Sequence, residues 1–409
     1  MSVIKPFKAL RPRADLAEKV ACVPYDVPYD SEVRAYIADN PQSFLRVTRP
    51  EAEFPLGSEP SEADVLAKSK ENLEKFISEG WLEQDAEPAI YIYRLNVGDQ
   101  TQTGIVATCS IDEYDAGEIK KHEKTRPDKV KDRTDHMIYL GAQTGLIFLA
   151  FRGTDATRSI IADQTSRDPL YICPCDEGGV TQTVWKVSEP DALVAAFEEV
   201  PAIYVADGHH RAESASLARK TLKERNPDHT GDEPYNFVMA GVFPAEDLKI
   251  LPYNRAVKDL NGQSKEEFLE RVSGSFRFEK TGEKTPKHPR SIAMYLDGEW
   301  YTLQYIVENI EEPNAIERLD VSILQQNILT PILGIDDPRT NTRISFVGGI
   351  RGTDELERLV DSGEYAVAFS MFPTSMDDLF AVSDMGEIMP PKSTWFEPKL
   401  KDGLFVHLI

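Results

Sequence analysis

The chain has 409 residues, 41% of them hydrophobic and 28% charged, with 46 Lys plus Arg against 69 Asp plus Glu and a formal net charge of −23. At about 150 residues per domain, that length predicts roughly two or three domains with a substantial core. The acidic balance and the lack of an apolar run of about 18 residues exclude a sequence-independent nucleic-acid binder, an anionic-membrane binder and a transmembrane helix.

Met1 to Leu10 mixes Lys5 and Lys8 with short apolar pieces and has no apolar signal-peptide region, so no signal peptide is expected. Up to about residue 85 the chain is Pro-rich and charged, with Pro24 and Pro28 forcing extended or turn conformations before them. Val65, Leu66, Leu73, Phe76 and Ile77 recur at helical spacing, and Gly80 is the stop. Residues 89–97 and 103–114 read as two strands joined by the hairpin loop GDQTQ. Residues 145–151, GLIFLAF, form an apolar run short enough for a buried strand. Cys173 and Cys175 make a C-x-C pair with no second Cys/His pair beside it, which reads as reduced thiols in a cytoplasmic protein. From about 170 the pattern alternates: strand 183–187, helix 189–200, strand 202–207, helix 209–226, strand 235–243 and a possible strand at 249–257. The C-terminal third predicts a helix in SKEEFLERV, a hairpin at Asp297-Gly298, a helix ended or kinked by Pro331, and a strand in YAVAFSMFP. The division drawn is an N-terminal segment 1–85, a central region 86–260 and a C-terminal α/β lobe 261–409.

Asp207-Gly208-His209-His210-Arg211 stands between an apolar strand and a helix. Gly at such a bend lets backbone approach a ligand, and the first helical amides with the helix dipole favour an anion. Two imidazoles and a guanidinium add donors, which suits phosphate or carboxylate. Asp207 adds a carboxylate able to hold Mg²⁺, orient an imidazole or accept a hydroxyl proton. The bland alternative is a helix capped by Asp207 with exposed His and Arg. The segment His122 to His136 offers His122 or Glu123 as a base and Lys129, Lys131 and Arg133 as phosphate-neutralising cations, or else it is a solvated charged loop. Lys392, Ser393 and Thr394 in MPPKSTWFEPKL offer an ammonium and two hydroxyls, although without the glycines of a phosphate loop. Asp26, Arg46, Arg49 and Glu51 either reach a site or build a turn and salt bridges. There is no G-x-G-x-x-G, no G-x-S-x-G and no structural-zinc spacing.

Taken together, IKPFKALRP, VPYDV, NPQSFLRV, HEKT, KVKDR, DGHHR, LPYNRAV, LDVSIL and MPPKSTWFEPKL resemble the family called "domain of unknown function 1015", in that family's order and over residues 4 to 400. The family's LPTHR form stands here as Leu251-Pro252-Tyr253-Asn254-Arg255, which lacks the His and puts a catalytic role there in doubt. DGHHR also resembles the phosphate-binding turn of the ParB/sulfiredoxin-like fold, a superfamily with a CTP-binding partition protein, an ATP-using sulfinic acid reductase and free-serine kinases. The resemblance implies an α+β fold: mixed sheets with a ParB/sulfiredoxin-like core around 170–260, flanked by additional α/β lobes. It carries Gly208, His209, His210 and Arg211 over as phosphate contacts. The reductase's Cys has no counterpart in this turn, and the kinase's turn is the more similar.

The expected function is nucleotide-dependent phosphotransfer to the hydroxyl of a small metabolite such as serine, using ATP, ADP or CTP with Mg²⁺. Asp207, Glu123 and His122 are the candidate catalytic groups, with Asp207 also the candidate metal ligand. Lys131, Arg133 and Lys392, with Ser393 and Thr394, would hold or neutralise phosphate. The alternative is a regulatory protein that binds a nucleotide or phosphometabolite without turnover. The oligomeric state is not legible.

Overall fold

Alternation of β-branched and aromatic residues builds strands throughout the computed structural model, which describes residues 4–174, 178–306 and 314–409. Cys175 lies outside the described residues, and Cys173 is a buried thiol. The chain forms two compact units. Unit 1 runs to Lys121, resumes over Thr125–Leu248 and includes Pro398–Ile409; unit 2 comprises His122–Lys124 and Lys249–Glu397.

Unit 1 is organised on a nine-stranded mixed sheet. Its strands are β1 (Ile4–Lys5), β2 (Tyr91–Val97), β3 (Gln100–Ser110), β4 (Ile119–Lys120), β5 (Ile147–Phe151), β6 (Tyr171–Cys173), β7 (Thr181–Lys186), β8 (Ile203–Asp207) and β9 (Phe237–Pro244). The order is β4-β8-β5-β9-β3-β2-β7-β6, with β1 paired to β3. The pairs β4/β8 and β5/β9 are parallel and the remaining pairs antiparallel. Every residue of β5 is buried, as its unbroken apolar run predicts. Three long helices belong to this unit: α1 (Glu62–Ser78), α2 (Pro127–Leu140) and α3 (His209–Arg225). Ala212, Ala215 and Ala218 of α3 join the sheet's core, together with Ile147, Leu149 and Val205. The small side chains allow a close helix–sheet approach.

Unit 2 holds a six-stranded antiparallel sheet of β10 (Tyr253–Val257), β11 (Phe276–Thr281), β12 (Ser291–Leu296), β13 (Glu299–Tyr305), β14 (Ile344–Gly348) and β15 (Val367–Ser370). The order is β11-β13-β12-β15-β10-β14. Asp297 and Gly298 form the predicted hairpin turn, both at positive φ. Helix α4 (Asp354–Asp361) lays Leu356, Leu359 and Val360 on Ala256, Ala293 and Ala368 of the sheet.

The mixed α/β class agrees with expectation, but several local features differ. The loop expected as GDQTQ is a two-residue turn at Gly98-Asp99, because Val97 already pairs with Gln100. Residues 111–115 are helical rather than extended, capped by Ser110. The charged segment after His122 is not a loop from Pro127 onward but helix α2, with Pro at its first position and Gly141 in the left-handed conformation at its end. The first 85 residues do not stand apart. Leu10–Pro12 pairs with Leu82–Gln84, and β1 pairs with β3, so lateral hydrogen bonds bind them into unit 1. The last twelve residues also belong to unit 1 rather than to a C-terminal lobe, since His407–Leu408 pairs with Ala142–Gln143.

Candidate phosphate-binding turn

Strand β8 ends in a bulge. Ile203, Tyr204 and Val205 face Phe151, Ala150 and Leu149, but it is Asp207 that faces Phe148. The extra residue shifts the register and re-aims the carboxylate. Gly208 follows at φ +85°, where an added Cβ would lie 3.3 Å from the Cα of Ile147. Glycine therefore lets the turn lie against β5. The first bond within α3 runs from the Ala212 amide to the Gly208 carbonyl at 3.0 Å. The amides of His209, His210 and Arg211 precede that ladder and are aimed out of the positive end of the helix.

A second helix begins beside them. The Nε2 atom of His210 accepts the amide N–H of Arg126 at 3.1 Å, and Arg126 is the N-cap residue of α2. The α2 and α3 N-termini thus meet at one imidazole, where two dipoles favour negative charge.

The Asp207 carboxylate is fully engaged. Oδ1 accepts the Gly208 amide at 2.7 Å and Oδ2 accepts the Lys399 ammonium at 2.5 Å. Burial alone raises this carboxyl's pKa, but Lys399 and the Gly208 amide outweigh it and hold the group well below the usual carboxylate range. Asp207 is consequently ionised and paired. Each Asp207 oxygen thus accepts one donor. Among the described residues there is no group of three His, Cys, Asp or Glu able to hold a metal.

Arg211 does not point at the turn's mouth. Its guanidinium is bidentate on Asp402 at 3.0 and 3.1 Å and donates to the Leu146 carbonyl at 3.1 Å. Desolvation works against its charge, yet Asp402 keeps Arg211 above the ordinary arginine range. Tyr25 covers the pair: its amide donates to Asp402 at 3.3 Å, and its ring centroid lies 5.2 Å from the Arg211 guanidinium. In this structure the Arg211 side chain is a buried brace, and its amide belongs to the first turn of α3. His209 is likewise buried, so it too offers main chain.

Arg133 lines the same small cavity as Tyr25, Gly145 and Arg211. Lys131 is exposed on α2 and pairs with Asp135 at 2.5 Å and Glu62 at 3.4 Å. Arg133 pairs with Asp132 at 2.8 Å and lies 4.4 Å from the Tyr25 ring centroid. Arg49 holds the Tyr25 carbonyl at 2.7 Å, and Arg46 pairs with Glu53, so that segment builds turns and ion pairs. His122, Glu123, Lys392, Ser393 and Thr394 belong to unit 2. There His122 Nε2 and Thr394 Oγ1 share a hydrogen bond of 3.3 Å, and the Met389 amide donates to the His122 carbonyl at 2.8 Å. The residues that sequence reasoning missed are Lys399, Asp402 and Tyr25. Lys399 is within the quoted MPPKSTWFEPKL motif, but nothing local marks it as Asp207's partner, 192 positions away.

No curated protein matches the sequence. Among solved structures, the chain is similar to SbnI with C-terminal truncation from Staphylococcus aureus, at 14% identity and TM-score 0.39, over 74% of this chain and 87% of that one. It is similar to a free serine kinase in complex with AMP, at 13% identity and TM-score 0.36, over 72% and 86%. It is also similar to a conserved hypothetical protein from Pyrococcus furiosus, at 14% identity and TM-score 0.35, over 76% and 98%. The family model described as "Protein of unknown function (DUF1015)" matches residues 4–322, most of the chain, and the protein belongs to that family.

Proposed function

We infer that the Gly208–Arg211 turn binds the phosphate of a nucleotide, and that the protein transfers a phosphoryl group from it to the hydroxyl of a small metabolite such as serine. The observation that carries the reading is the meeting of the two helix N-termini at His210, beside the Lys399 ammonium. That combination of main-chain amides, dipoles and one cation is what an anionic phosphoryl group needs.

An incoming phosphate competes with Asp207 for Lys399. As the ammonium turns to the phosphoryl oxygens, Oδ2 of Asp207 is freed to take the acceptor's proton. The acceptor oxygen bonds to the terminal phosphorus and the bond to the bridging oxygen breaks. The hydroxyl proton passes to Asp207, leaving a phosphate ester and a nucleotide shorter by one phosphate. His122 and Glu123 take no step in this scheme.

The engaged state of Asp207 supports a second reading, in which the turn binds a nucleotide or phosphometabolite and no transfer follows. One experiment separates them. The protein is incubated with ATP, ADP or CTP, MgCl₂ and a panel of hydroxyl amino acids, and phosphate esters are followed by ³¹P NMR. Transfer lost in Asp207→Asn with binding retained supports the enzyme; calorimetric binding without turnover supports the regulator; no binding by any nucleotide overturns both.

A further inference from the structure

A cavity of about 30 Å³ in unit 1 lies beside the Gly208–Arg211 turn. That is room for two or three water-sized groups. Arg211 and Ile147 line it and tie it to the turn, since Gly208 lies against the Cα of Ile147. Tyr25, Arg133 and His136 line it as well.

Arg133 and His136 stand three residues apart on α2, on one face of the helix. The His136 imidazole is 5% exposed. Its Nε2 shares hydrogen bonds with the Ser69 hydroxyl at 2.9 Å and the Val47 carbonyl at 3.3 Å. A carbonyl oxygen can only accept, so Nε2 carries the ring hydrogen. Burial lowers the pKa to about 3, which leaves the ring neutral and Nδ1 a bare acceptor. The two ring nitrogens point away from each other. With Nε2 turned to Ser69, Nδ1 has no partner among the described residues. A buried acceptor without a donor is costly.

Arg133 adds the complementary group. Its Nε and Nη2 are held by Asp132, itself about half exposed, and its Nη1 has no partner among the described residues. The charges of Arg133 and Arg211 both act on His136. Those of Asp402 and Asp26 act on Arg211 and offset the two guanidiniums. A bare anion would leave Nδ1 without a donor. A zwitterion satisfies both sides.

We propose that this cavity receives the head group of an α-amino acid, with the carboxylate on Arg133 and the ammonium on Nδ1 of His136. The head-group site stands on these residues alone; that its occupant is the acceptor of phosphoryl transfer rests on the proposed function.

The test titrates the full chain with L-alanine, which has the head group and no hydroxyl, by calorimetry and by the ¹⁵Nδ1 resonance of His136. Propionate, which lacks the ammonium, and ethylamine, which lacks the carboxylate, are the controls. L-alanine should bind and move the Nδ1 resonance in the direction of an accepted hydrogen bond. Both controls, and L-alanine with Arg133→Gln, should bind about tenfold or more weakly. The resonance in the wild-type chain keeps the test decisive if Arg133→Gln fails to fold. No binding of L-alanine, an unmoved Nδ1 resonance, or wild-type affinity in Arg133→Gln overturns the proposal. Inorganic phosphate, titrated separately, reads the turn: phosphate bound and L-alanine refused overturns this inference alone, whereas L-alanine bound and phosphate refused upholds the head-group site and removes the proposed transfer.

Discussion

The guanidinium of Arg211 and the carboxylate of Asp402 face each other through paired contacts of 3.0 and 3.1 Å, across 191 positions of sequence. Asp402 is 1% exposed, so the pair must be kept whole: removing one partner strands a buried charge. This decides what the last residue of the DGHHR motif does. It anchors the C-terminal segment under the turn, and that anchoring carries Lys399 to Asp207.

Arg211→Ala is therefore expected to destabilise unit 1 by about 3–5 kcal/mol. Urea unfolding followed by peptide-resolved hydrogen exchange of unit 1 measures it. Unchanged stability with lost phosphate binding would restore Arg211 as a direct ligand contact.

Gly145 is the second constraint on the same pair. A Cβ at 145 would fall on the Arg211 guanidinium and 2.5 Å from Asp402 Oδ1. Gly145→Ala should therefore lower stability in the direction of Arg211→Ala, and the two changes should be strongly non-additive because they act on one contact. A double-mutant cycle in urea reads the coupling; simple additivity would separate Gly145 from the pair.

Gly208→Ala places a side chain at φ +85° against Ile147. The left-handed backbone alone costs about 1–2 kcal/mol for an L residue. Shifting the turn to relieve the clash should also weaken phosphate binding. Calorimetry with inorganic phosphate and thermal unfolding should move together; a destabilised variant with wild-type affinity would remove the turn from the binding site.

Lys399→Gln tests the ion pair by acid titration. The folded pKa of Asp207 is depressed, so its contribution is present above the unfolded value of about 3.9 and fades as pH falls through the folded one. The variant should lose stability at neutral pH and show a shallower decline on acidification. An unchanged acid limb would mean that Lys399 does not control Asp207.

The two units should respond to mild acid with opposite signs. His136 in unit 1 is buried, sharing a 2.9 Å hydrogen bond with Ser69, and burial lowers its pKa to about 3. The unfolded chain then binds the extra proton, and stability falls as pH drops below about 6.5. Asp320 in unit 2 is raised by burial to about 7, although its Oδ1 accepts the Arg290 amide at 2.6 Å. Here the folded state binds the proton, so stability rises as pH falls from about 7 towards 4. Hydrogen exchange resolved by peptide at pH 7 and 5 should show unit 1 loosening and unit 2 tightening. Asp320→Asn should abolish the second trend.

Much of this molecule is written locally. The strand–glycine–helix punctuation around Gly208, the unbroken apolar run of β5 and the Asp297-Gly298 turn each depend on neighbours a few residues apart, and each is present as the residues imply. The charged segment 127–140 was harder to read, because its helix is set by Pro127 at the first position and by packing on α3, while its exposed face carries the loop-like charges. The partners of Arg211 and Asp207 were beyond local reading for a single reason. A charged side chain's task depends on which opposite charge stands within a few ångströms, and in this chain Lys399 and Asp402 reach the turn only because residues 398–409 fold back into unit 1. Backbone conformation follows from residue type at short range; electrostatic partnership follows from chain topology, and that exists only in the folded protein.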